Sequence, residues 1–179
     1  MATSSRMTAP VSANSTGPWK QYLIINNVQK VKNIKNMLIS ASAFGVSEIF
    51  VVGQKKFSLE EHEALLQMLS CPVTRMASLA ECQAHCKANN IRIAGVEILS
   101  SARSLLEMPF SGHTAFMMGN EGSGMNTTQI AVCDDFIYIP QYGGGTASLN
   151  VSVAASIIMQ TFAVWAGIPT ATPQATAPL

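Results

Sequence analysis

The sequence lacks any long apolar segment and carries few charges. Its 179 residues contain no run of eighteen or more apolar residues, so no segment is expected to span a membrane. Charged residues make up only 12% and hydrophobic residues 48%, which is typical of a globular domain with much buried surface, part of it covered by a partner subunit. A chain of this length is expected to form one domain.

Cysteines at metal-binding or redox spacing are also absent. The four cysteines, at positions 71, 82, 86 and 133, form no CxxC motif, and scattered thiols are typical of reduced, intracellular proteins. Cys82, His85 and Cys86 are residue types that bind metals, but no fourth ligand stands at a customary spacing and the segment has helical character. No metal site is therefore expected.

Two common nucleotide-binding patterns are missing, although glycine is abundant in the loops at 119–124 and 143–148. Neither loop ends in the Gly-Lys-Ser/Thr of a phosphate-binding loop, so hydrolysis of nucleoside triphosphates is not expected. A dinucleotide fingerprint belongs in the first βαβ unit and is followed by an acidic residue about twenty positions later. Neither condition holds, so hydride chemistry is not expected either.

The second glycine loop stands within a strand, loop and helix pattern. Residues 136–139 are aromatic or β-branched, and Pro140 ends this run because proline has no N–H for a central ladder. The three glycines at 143–145 allow the backbone to approach a ligand closely. Ser148 is expected to cap the following helix, whose N-terminus would form a polar pocket wall. The pattern predicts a ligand-binding loop.

Strand and helix patterns alternate along the rest of the chain. Short apolar runs and 3.6-residue periodicity predict strands at 22–25, 48–52, 73–76, 91–97, 114–118 and 136–139, and helices at 33–44, 59–69, 79–89, 127–133 and 149–165. The alternation predicts an α/β domain with a mostly parallel sheet, flanking helices, and ligands beyond the carboxyl ends of the strands.

Two of the predicted helices have informative surfaces. The helix at 33–44 has an apolar stripe, and Gly45 follows it as a stop. The helix at 149–165 is apolar on nearly every side. One of its faces is therefore expected to pack on the sheet and another against a second subunit.

Charge is distributed unevenly. Residues 1–56 contain seven basic residues and one acidic residue, a net charge of +6, whereas residues 57–179 contain four basic and nine acidic residues, a net charge of −5. Lys30, Lys32 and Lys35 lie within six residues, which suits contact with a polyanion such as a nucleic-acid backbone. A solvated helix entry explains the same charges equally well.

The two ends are expected to lie outside the folded domain. Residues 1–18 are rich in Ser, Thr, Ala and Pro and are expected to be disordered, with the domain at 19–167 and a flexible tail at 168–179. The first segment has no secretory apolar core, so a cytoplasmic location is expected. Its Ser-rich, acid-free character leaves a mitochondrial location as the alternative.

Three segments together match a known pattern: Asn33-Ile34 with Ala41, Phe44 and Gly45; MGNEGSGM at 118–125; and Ile139-Pro140-Gln141 with SLNVSVA at 148–154. They resemble the three motifs of the SPOUT methyltransferases, specifically the TrmH-like RNA ribose 2′-O-methyltransferases, in the family's order and spacing over about residues 20–166. The resemblance implies a sheet whose C-terminal part forms a trefoil knot, and a homodimer. It also implies a minimal chain without an added RNA-binding domain.

The resemblance further implies S-adenosylmethionine as cofactor and tRNA or rRNA as partner. The cofactor-binding residues would be Val96, Gly119, Asn120, Glu121, Ile139, Pro140, Gln141, Ser148 and Leu149, with glycine-loop backbone reading the adenine edge and apolar side chains covering its faces. The residues expected to take part in catalysis are Asn33, Glu121, Ser148 and Asn150. Asn33 has an alternative role as a helix N-cap, and both roles can coexist.

The first motif departs from the family at one position. Ile39 stands where the family has an arginine that is thought to help deprotonate the ribose hydroxyl and to hold the RNA phosphate, and isoleucine can do neither. Lys35 replaces the family's usual glycine and lies one helical turn before Ile39, on the same face. Lys35 is therefore a hypothetical substitute for the arginine, chiefly as a phosphate clamp and secondarily as a base.

The expected function is transfer of a methyl group from S-adenosylmethionine to a ribose 2′-hydroxyl of tRNA or rRNA. Ile39 favours an alternative, a catalytically silent homologue that binds cofactor or RNA as an assembly or regulatory factor. A structural α/β dimer without a ligand is the third interpretation.

Overall fold

The computed structural model describes residues 19–54, 57–143 and 148–171. Seven strands are formed by β1 Gln21–Ile25, β2 Glu48–Val52, β3 Val73–Met76, β4 Arg92–Val96, β5 Arg103–Ser104, β6 Thr114–Met118 and β7 Asp135–Tyr138. The α-helices are α1 Val31–Ala43, α2 Glu63–Gln67, α3 Leu79–Ala88, α4 Thr127–Val132 and α5 Val151–Trp165, with 3₁₀ turns at Glu60–His62 and Leu105–Glu107.

The seven strands form one sheet in the order β3-β2-β1-β6-β4-β7-β5. Every pair is parallel, so all seven carboxyl ends lie along one edge. The predicted α/β class with a mostly parallel sheet is confirmed. Because parallel strands leave their loops at a common edge, the loops after β1, β4, β6 and β7 are brought together there.

Both faces of the sheet are buried, which explains the nearly continuous apolar character of the central strands. Successive residues of β1 alternate between the faces: Leu23 and Ile25 pack in a core with α1 and α5, and Ile24 packs in a second core with α3. The second core includes Cys82 and Cys86, and all four cysteines of the chain are unpaired thiols.

Helix α1 forms because its apolar positions recur on one side. Ile34, Met37, Leu38 and Ala41 are fully buried, as the predicted stripe requires. The helix ends where Gly45 adopts a φ of +72°, and the N–H of Val46 returns to the carbonyl of Ala41 at 3.0 Å. The predicted glycine stop is confirmed.

Helix α5 buries one side completely and exposes the other. Its buried side inserts Phe162 among the rings of Phe110, Phe116 and Trp165, at centroid distances of 5.1 to 5.6 Å. On the opposite side Val153 is 47% exposed, Ile157 36% and Val164 64%. The predicted packing of one face against the sheet is confirmed.

The cap of α5 differs from the prediction. Asn150, not Ser148, is the N-cap, and its Oδ1 accepts hydrogen bonds from the N–H of Ser152 at 2.9 Å and from the Ser152 hydroxyl at 2.7 Å. Both residue types are good caps, so composition alone does not choose between them. The expected helix therefore begins two residues later than 149.

Other differences concern short elements. The helix expected at 59–69 is divided into a 3₁₀ turn and α2, because His62 has a non-helical backbone with φ −123° and ψ 18°. Strand β5 was not predicted, since its two residues give no periodic signal. Ile168, assigned to the flexible tail, packs on the core beside Gly45 and donates its N–H to Ala163, so the folded part extends beyond 167.

The remaining tail predictions fall on residues 1–18 and 172–179, which lie outside the described residues. Within the described ranges, no helix has the length and apolar character required to cross a bilayer.

Candidate functional site

A cavity of about 440 Å³ lies at the edge where β4, β6 and β7 end. Its walls come from four segments of the chain, within residues 96–99, 118–125, 138–141 and 148–154, together with Ile130 of α4. The segment 118–125 contains the first glycine-rich loop singled out in the sequence, and Ser148 is the last residue of the second. Of the second loop, residues 144–147 lie outside the described residues.

Most of the predicted cofactor residues line this cavity. They are Val96, Gly119, Asn120, Glu121, Ile139, Gln141, Ser148 and Leu149. Pro140 is not among the lining residues, although both of its neighbours are. It lies two residues beyond the end of β7, in the segment where the chain leaves the sheet.

The loop that follows β6 folds back tightly on Gly119. Asn120 and Gly124 exchange backbone hydrogen bonds of 2.9 and 3.0 Å, and the Oδ1 of Asn120 accepts the N–H of Gly122 at 2.9 Å. A Cβ at Gly119 would lie 2.9 Å from the carbonyl carbon of Gly124 and 3.0 Å from the nitrogen of Met125. Position 119 must therefore be glycine for the loop to keep this path.

Glu97 is a site residue that the sequence reasoning missed. Its Oε2 accepts the N–H of Met125 at 2.9 Å, and its Oε1 accepts the N–H of Ile98 at 2.9 Å. A Cβ at Gly124 would come within 2.5 Å of this carboxylate. Glu97 follows β4, whose last residue pairs with Met118 of β6, so an acid directly after a buried strand was the available signal.

Glu121 connects the cavity to the start of α1. Its Oε2 accepts the N–H of Gln29 at 2.9 Å, and its Oε1 accepts the N–H of Lys30 at 3.1 Å and the Nδ2 of Asn33 at 2.9 Å. The N-cap of α1 is Lys30, which makes no side-chain cap bond, and the first turn contains no acid. Glu121 therefore supplies, from another loop, the anion that a helix N-terminus favours.

These hydrogen bonds decide the protonation of Glu121. Partial burial, the largest single effect, raises the pKa of the carboxyl group, but the combined bonds from Gln29, Asn33 and Lys30 outweigh it and hold the pKa below its ordinary value. The carboxylate is thus ionised and its oxygens are occupied. We interpret Glu121 as a positioning group rather than a base.

Asn33 links the first and third motifs. Its Oδ1 accepts the Nδ2 of Asn150 at 3.2 Å, so Asn33, Glu121 and Asn150 form one hydrogen-bonded chain. Asn33 is buried in the first turn of α1 and is not the N-cap, which corrects that alternative. Neither Asn33 nor Asn150 lines the cavity; they form the wall behind Glu121.

Lys35 takes no part in the hydrogen bonds that join Asn33, Glu121 and Asn150, and it lies on the exposed side of α1. Ile39, one turn later, is 53% exposed, so the predicted shared face is confirmed. Lys35 is not a lining residue of the cavity. Among the residues that the structure describes, no group of three or more His, Cys, Asp or Glu side chains is arranged to hold a metal.

The sequence profile of the SpoU rRNA methylase family matches residues 20–160, which include all the motifs described above. The chain belongs to the SpoU rRNA methylase family. This confirms the resemblance inferred from the three motifs. The SpoU domain accounts for most of the described residues.

The relatives of this SpoU domain include named RNA methyltransferases. The 23S rRNA (guanosine-2′-O-)-methyltransferase RlmB of Vibrio vulnificus is 31% identical over 143 residues, which cover 76% of this chain and 56% of RlmB. The chain thus spans about half the length of the curated relatives it matches.

Solved structures share the fold of the SpoU domain. AviRb of Streptomyces viridochromogenes, crystallised with AdoMet, has a TM-score of 0.69 and 21% identity, covering 84% of this chain and 59% of AviRb. The A. aeolicus TrmH/SpoU tRNA modifying enzyme has a TM-score of 0.66 and 21% identity, covering 83% and 75%. At these identities the likeness establishes the architecture.

The Glu121 contacts predict a pH-dependent stability. Glu121→Gln replaces one acceptor oxygen by an NH₂ that faces other donors, so we expect a loss of about 1 to 3 kcal/mol in the free energy of unfolding at neutral pH. Because the folded-state pKa is lowered, the carboxylate stabilises fully above the unfolded pKa, and this contribution disappears as the pH falls through the folded pKa.

Urea unfolding of both proteins between about pH 7 and pH 3 measures the difference. It should be largest above about pH 5 and shrink toward acid. Glu107→Gln, at an exposed glutamate in the 3₁₀ turn after β5, is the control. A difference for Glu121→Gln that is independent of pH would contradict the assignment.

Proposed function

We propose that this chain transfers a methyl group from S-adenosylmethionine to a ribose 2′-hydroxyl of tRNA or rRNA. The observation that carries the proposal is the hydrogen-bonded chain Glu121–Asn33–Asn150, which joins all three sequence motifs beside one cavity. The name of the RlmB relative states this chemistry for a guanosine, and AviRb was crystallised with the cofactor.

The cavity suits S-adenosylmethionine in size and composition. Its volume of about 440 Å³ falls in the range of small-molecule sites, roughly 300 to 1,000 Å³. Val96, Ile139 and Leu149 offer apolar surface for an adenine, and the glycine loop offers backbone groups for its polar edge. When bound, the cofactor supplies an electrophilic methyl group on a sulfonium.

The chain's own contribution is mainly positioning. Glu121 belongs to the loop after β6 at residues 119–124, which we call the cofactor loop. It fixes the first turn of α1 against this loop, so an RNA held by α1 is set at the edge of the cavity. Holding two reactants in line replaces a large part of the entropy that a bimolecular reaction must lose. This term needs no base among the residues of the cavity wall.

The RNA contact is proposed for the start of α1. Lys30, Lys32 and Lys35 are all exposed there, and in the described part of the chain the two ion pairs, Arg92–Asp135 and Arg103–Glu107, do not involve them. Three exposed ammonium groups at the start of a helix that Glu121 fixes to the loop after β6 suit a phosphate backbone. The polyanion interpretation is favoured over a merely solvated helix entry.

Lys35 is proposed as the phosphate clamp that replaces the missing arginine. It shares the exposed face of α1 with Ile39, and its flexible stem can carry a cation toward the position one turn away. A lysine is a point charge without the bidentate fork of arginine, so the clamp is weaker in geometry but similar in charge.

We also propose that the protein is a homodimer through α5. Val153, Ile157 and Val164 leave an apolar side of this helix exposed, and Ile39 of α1 is exposed too. The hydroxyl of Ser156 donates to that of Ser40 at 2.8 Å, which holds the two helices together. A second copy of the chain is the occupant that the family resemblance supplies.

The trefoil knot stays a prediction, because residues 144–147 lie outside the described residues.

Methyl transfer is tested with the purified protein, radiolabelled S-adenosylmethionine and total RNA from the source organism. We expect label in 2′-O-methyl nucleosides after digestion. Gly119→Ala should abolish transfer and weaken cofactor affinity by more than about tenfold in calorimetry, because its Cβ collides with the backbone of Gly124. Ala80→Ser, at an exposed position of α3 that does not line the cavity, is the control and should bind the cofactor normally.

The silent alternative gives a different outcome. Ile39→Arg is assayed beside the natural protein under the same conditions. Label in 2′-O-methyl nucleosides with the natural protein would contradict the catalytically silent interpretation. Label only with the variant contradicts the proposed activity.

The clamp role of Lys35 predicts a loss of RNA affinity. Lys35→Ala removes one phosphate contact, so its affinity should fall at every RNA sequence and the slope of log K against log salt should decrease by about one. Filter binding at several salt concentrations measures both. Asn36→Ala, at an exposed neighbour on the same helix, should change neither. Unchanged affinity and transfer in Lys35→Ala would refute the clamp.

The dimer is tested by light scattering coupled to size exclusion. The natural protein should elute with the mass of two chains, and Ile157→Lys should elute with the mass of one, because a desolvated ammonium cannot be accommodated in an apolar interface. Met68→Lys is the control. It introduces the same charge at an apolar residue outside α5 that is 81% exposed, and it should leave the dimer intact. A natural protein of single-chain mass would exclude the assembly.

A further inference from the structure

A second cavity lies at the carboxyl ends of β1, β2 and β3. Its volume is about 510 Å³, and its walls come from residues 26–29, 52–54 and 77–79 together with Asn126 and Thr128. The proposed cofactor site does not use it. We call it the base cavity.

The base cavity adjoins the cofactor loop through residues 26–29. The carbonyl of Asn27 accepts the Nδ2 of Asn120 at 2.9 Å, and the N–H of Gln29 donates to Glu121 at 2.9 Å. Gln129, fully buried, donates to the carbonyls of Asn26 and Met118, each at 3.3 Å. The segment that walls the base cavity is therefore fixed directly to the loop that walls the cofactor cavity.

The described residues of the wall are polar but uncharged. Seven of its twelve residues have carboxamide or hydroxyl side chains: Asn26, Asn27, Gln29, Gln54, Ser78, Asn126 and Thr128. The other five are apolar or glycine, and none of the twelve is Lys, Arg, Asp, Glu or His. Such a surface suits a neutral, planar ligand with several hydrogen-bonding groups on its edge.

Two carboxamides are held in place at this wall. Asn26 donates its Nδ2 to the carbonyl of Val52 at 2.9 Å, and Gln54 donates its Nε2 to the carbonyl of Val28. Among hydrogen bonds between described residues, neither the Oδ1 of Asn26 nor the Oε1 of Gln54 is an acceptor. These oxygens can receive the amino or imino hydrogens of a base edge.

A phosphate is a poorer ligand for the same cavity. Helix α3 begins at its rim, but the N–H of Glu81 is bonded by the hydroxyl of Ser78 at 3.2 Å, and the carboxylate of Glu81 accepts the N–H of Ala77 at 2.7 Å. Among the described residues that line the cavity, an anion would meet no cation. Phosphates are better placed on the lysines of α1, which begin at Lys30, directly after Gln29.

We propose that the base cavity binds a nucleobase of the acceptor RNA. The RNA backbone would then lie on the lysines of α1, with a base inserted beside the loop that positions the cofactor. This assignment rests on the proposed RNA methyl transfer and adds to it a site that reads the base. It makes the protein selective for a nucleotide through carboxamide and hydroxyl groups, not through charge.

The wild-type protein is first titrated with the four nucleoside 5′-monophosphates, and with ribose 5-phosphate as the base-free control, in amide-resolved NMR. We expect at least one nucleotide to shift the amides of residues 26–29, 52–54 and 77–79 beyond the control. Equal shifts with ribose 5-phosphate, or shifts confined to residues 30–35, would overturn the proposal. Added S-adenosylmethionine should instead shift residues 119–125 and 149, so failure of either site is recognised separately.

Variants then test the cavity with RNA. Ala77→Phe fills it without removing a hydrogen-bonding side chain, and should weaken binding of a random single-stranded decaribonucleotide by about tenfold while cofactor affinity is unchanged. Ala80→Phe places the same ring on an exposed position of α3 outside the cavity. Equal RNA affinities for the two variants would refute the site.

A second pair of variants makes a smaller change, so that the test does not depend on whether Ala77→Phe folds normally. Thr128→Val removes one hydroxyl from the wall at constant shape, and Thr127→Val makes the same change at an exposed neighbour that does not line it. We expect the differences in amide shift between the four nucleotides to become smaller in Thr128→Val and to stay unchanged in Thr127→Val. The same preference in both variants would count against a role for this wall.

Discussion

The carboxylate of Glu121 at the start of α1 is the contact on which the site depends. Helix α1 has no acid in its first turn and its N-cap makes no side-chain bond, so the N–H of the N-cap residue Lys30 needs an acceptor from elsewhere. Glu121 supplies it from the loop after β6, and the parallel pairing of β1 with β6 is what places the two loops side by side. The bond that stabilises the helix therefore also sets the distance between the lysines of α1 and the cofactor loop.

The strand order gives this contact its position. Going outward from β1, the chain places β2 and β3 on one side and β6, β4, β7 and β5 on the other, so the carboxyl edge is divided where β1 meets β6. The cofactor cavity lies on the β6 side and the base cavity on the β2 side. Ligands of parallel α/β sheets bind at such a division because neighbouring loops diverge there. In the proposed function, the cofactor on one side and the RNA base on the other would meet at the segment that Glu121 holds.

The sequence was sufficient where one signal dominated. The bounds of β2, β3 and β6 were predicted to the residue because turn residues flank compact apolar runs, and the stripe of α1 because its period is uninterrupted. It was insufficient where the outcome depends on distant partners. Asn150 rather than Ser148 caps α5 while also bonding Asn33, and Glu97 acquires its role only because β4 pairs with β6. The bonded partners, Asn33 and Met125, are distant in sequence, so a local signal can mark Glu97 as a candidate but cannot identify what it bonds.

The exposed position of Ile39 on α1 bears both on the proposed RNA contact and on the proposed dimer. It is 53% exposed, so its apolar side chain contributes little to the stability of one protomer, and losing the arginine costs the fold nothing. In the proposed dimer, the exposed sides of α1 and α5 would be covered together, and isoleucine would gain from desolvation where arginine would pay for it. Lys35, one turn earlier, leaves the positive charge nearer the first turn of α1, which Glu121 fixes beside the cofactor loop. In the proposed clamp, the cation therefore lies one turn earlier along the helix, and position 39 carries an exposed apolar side chain.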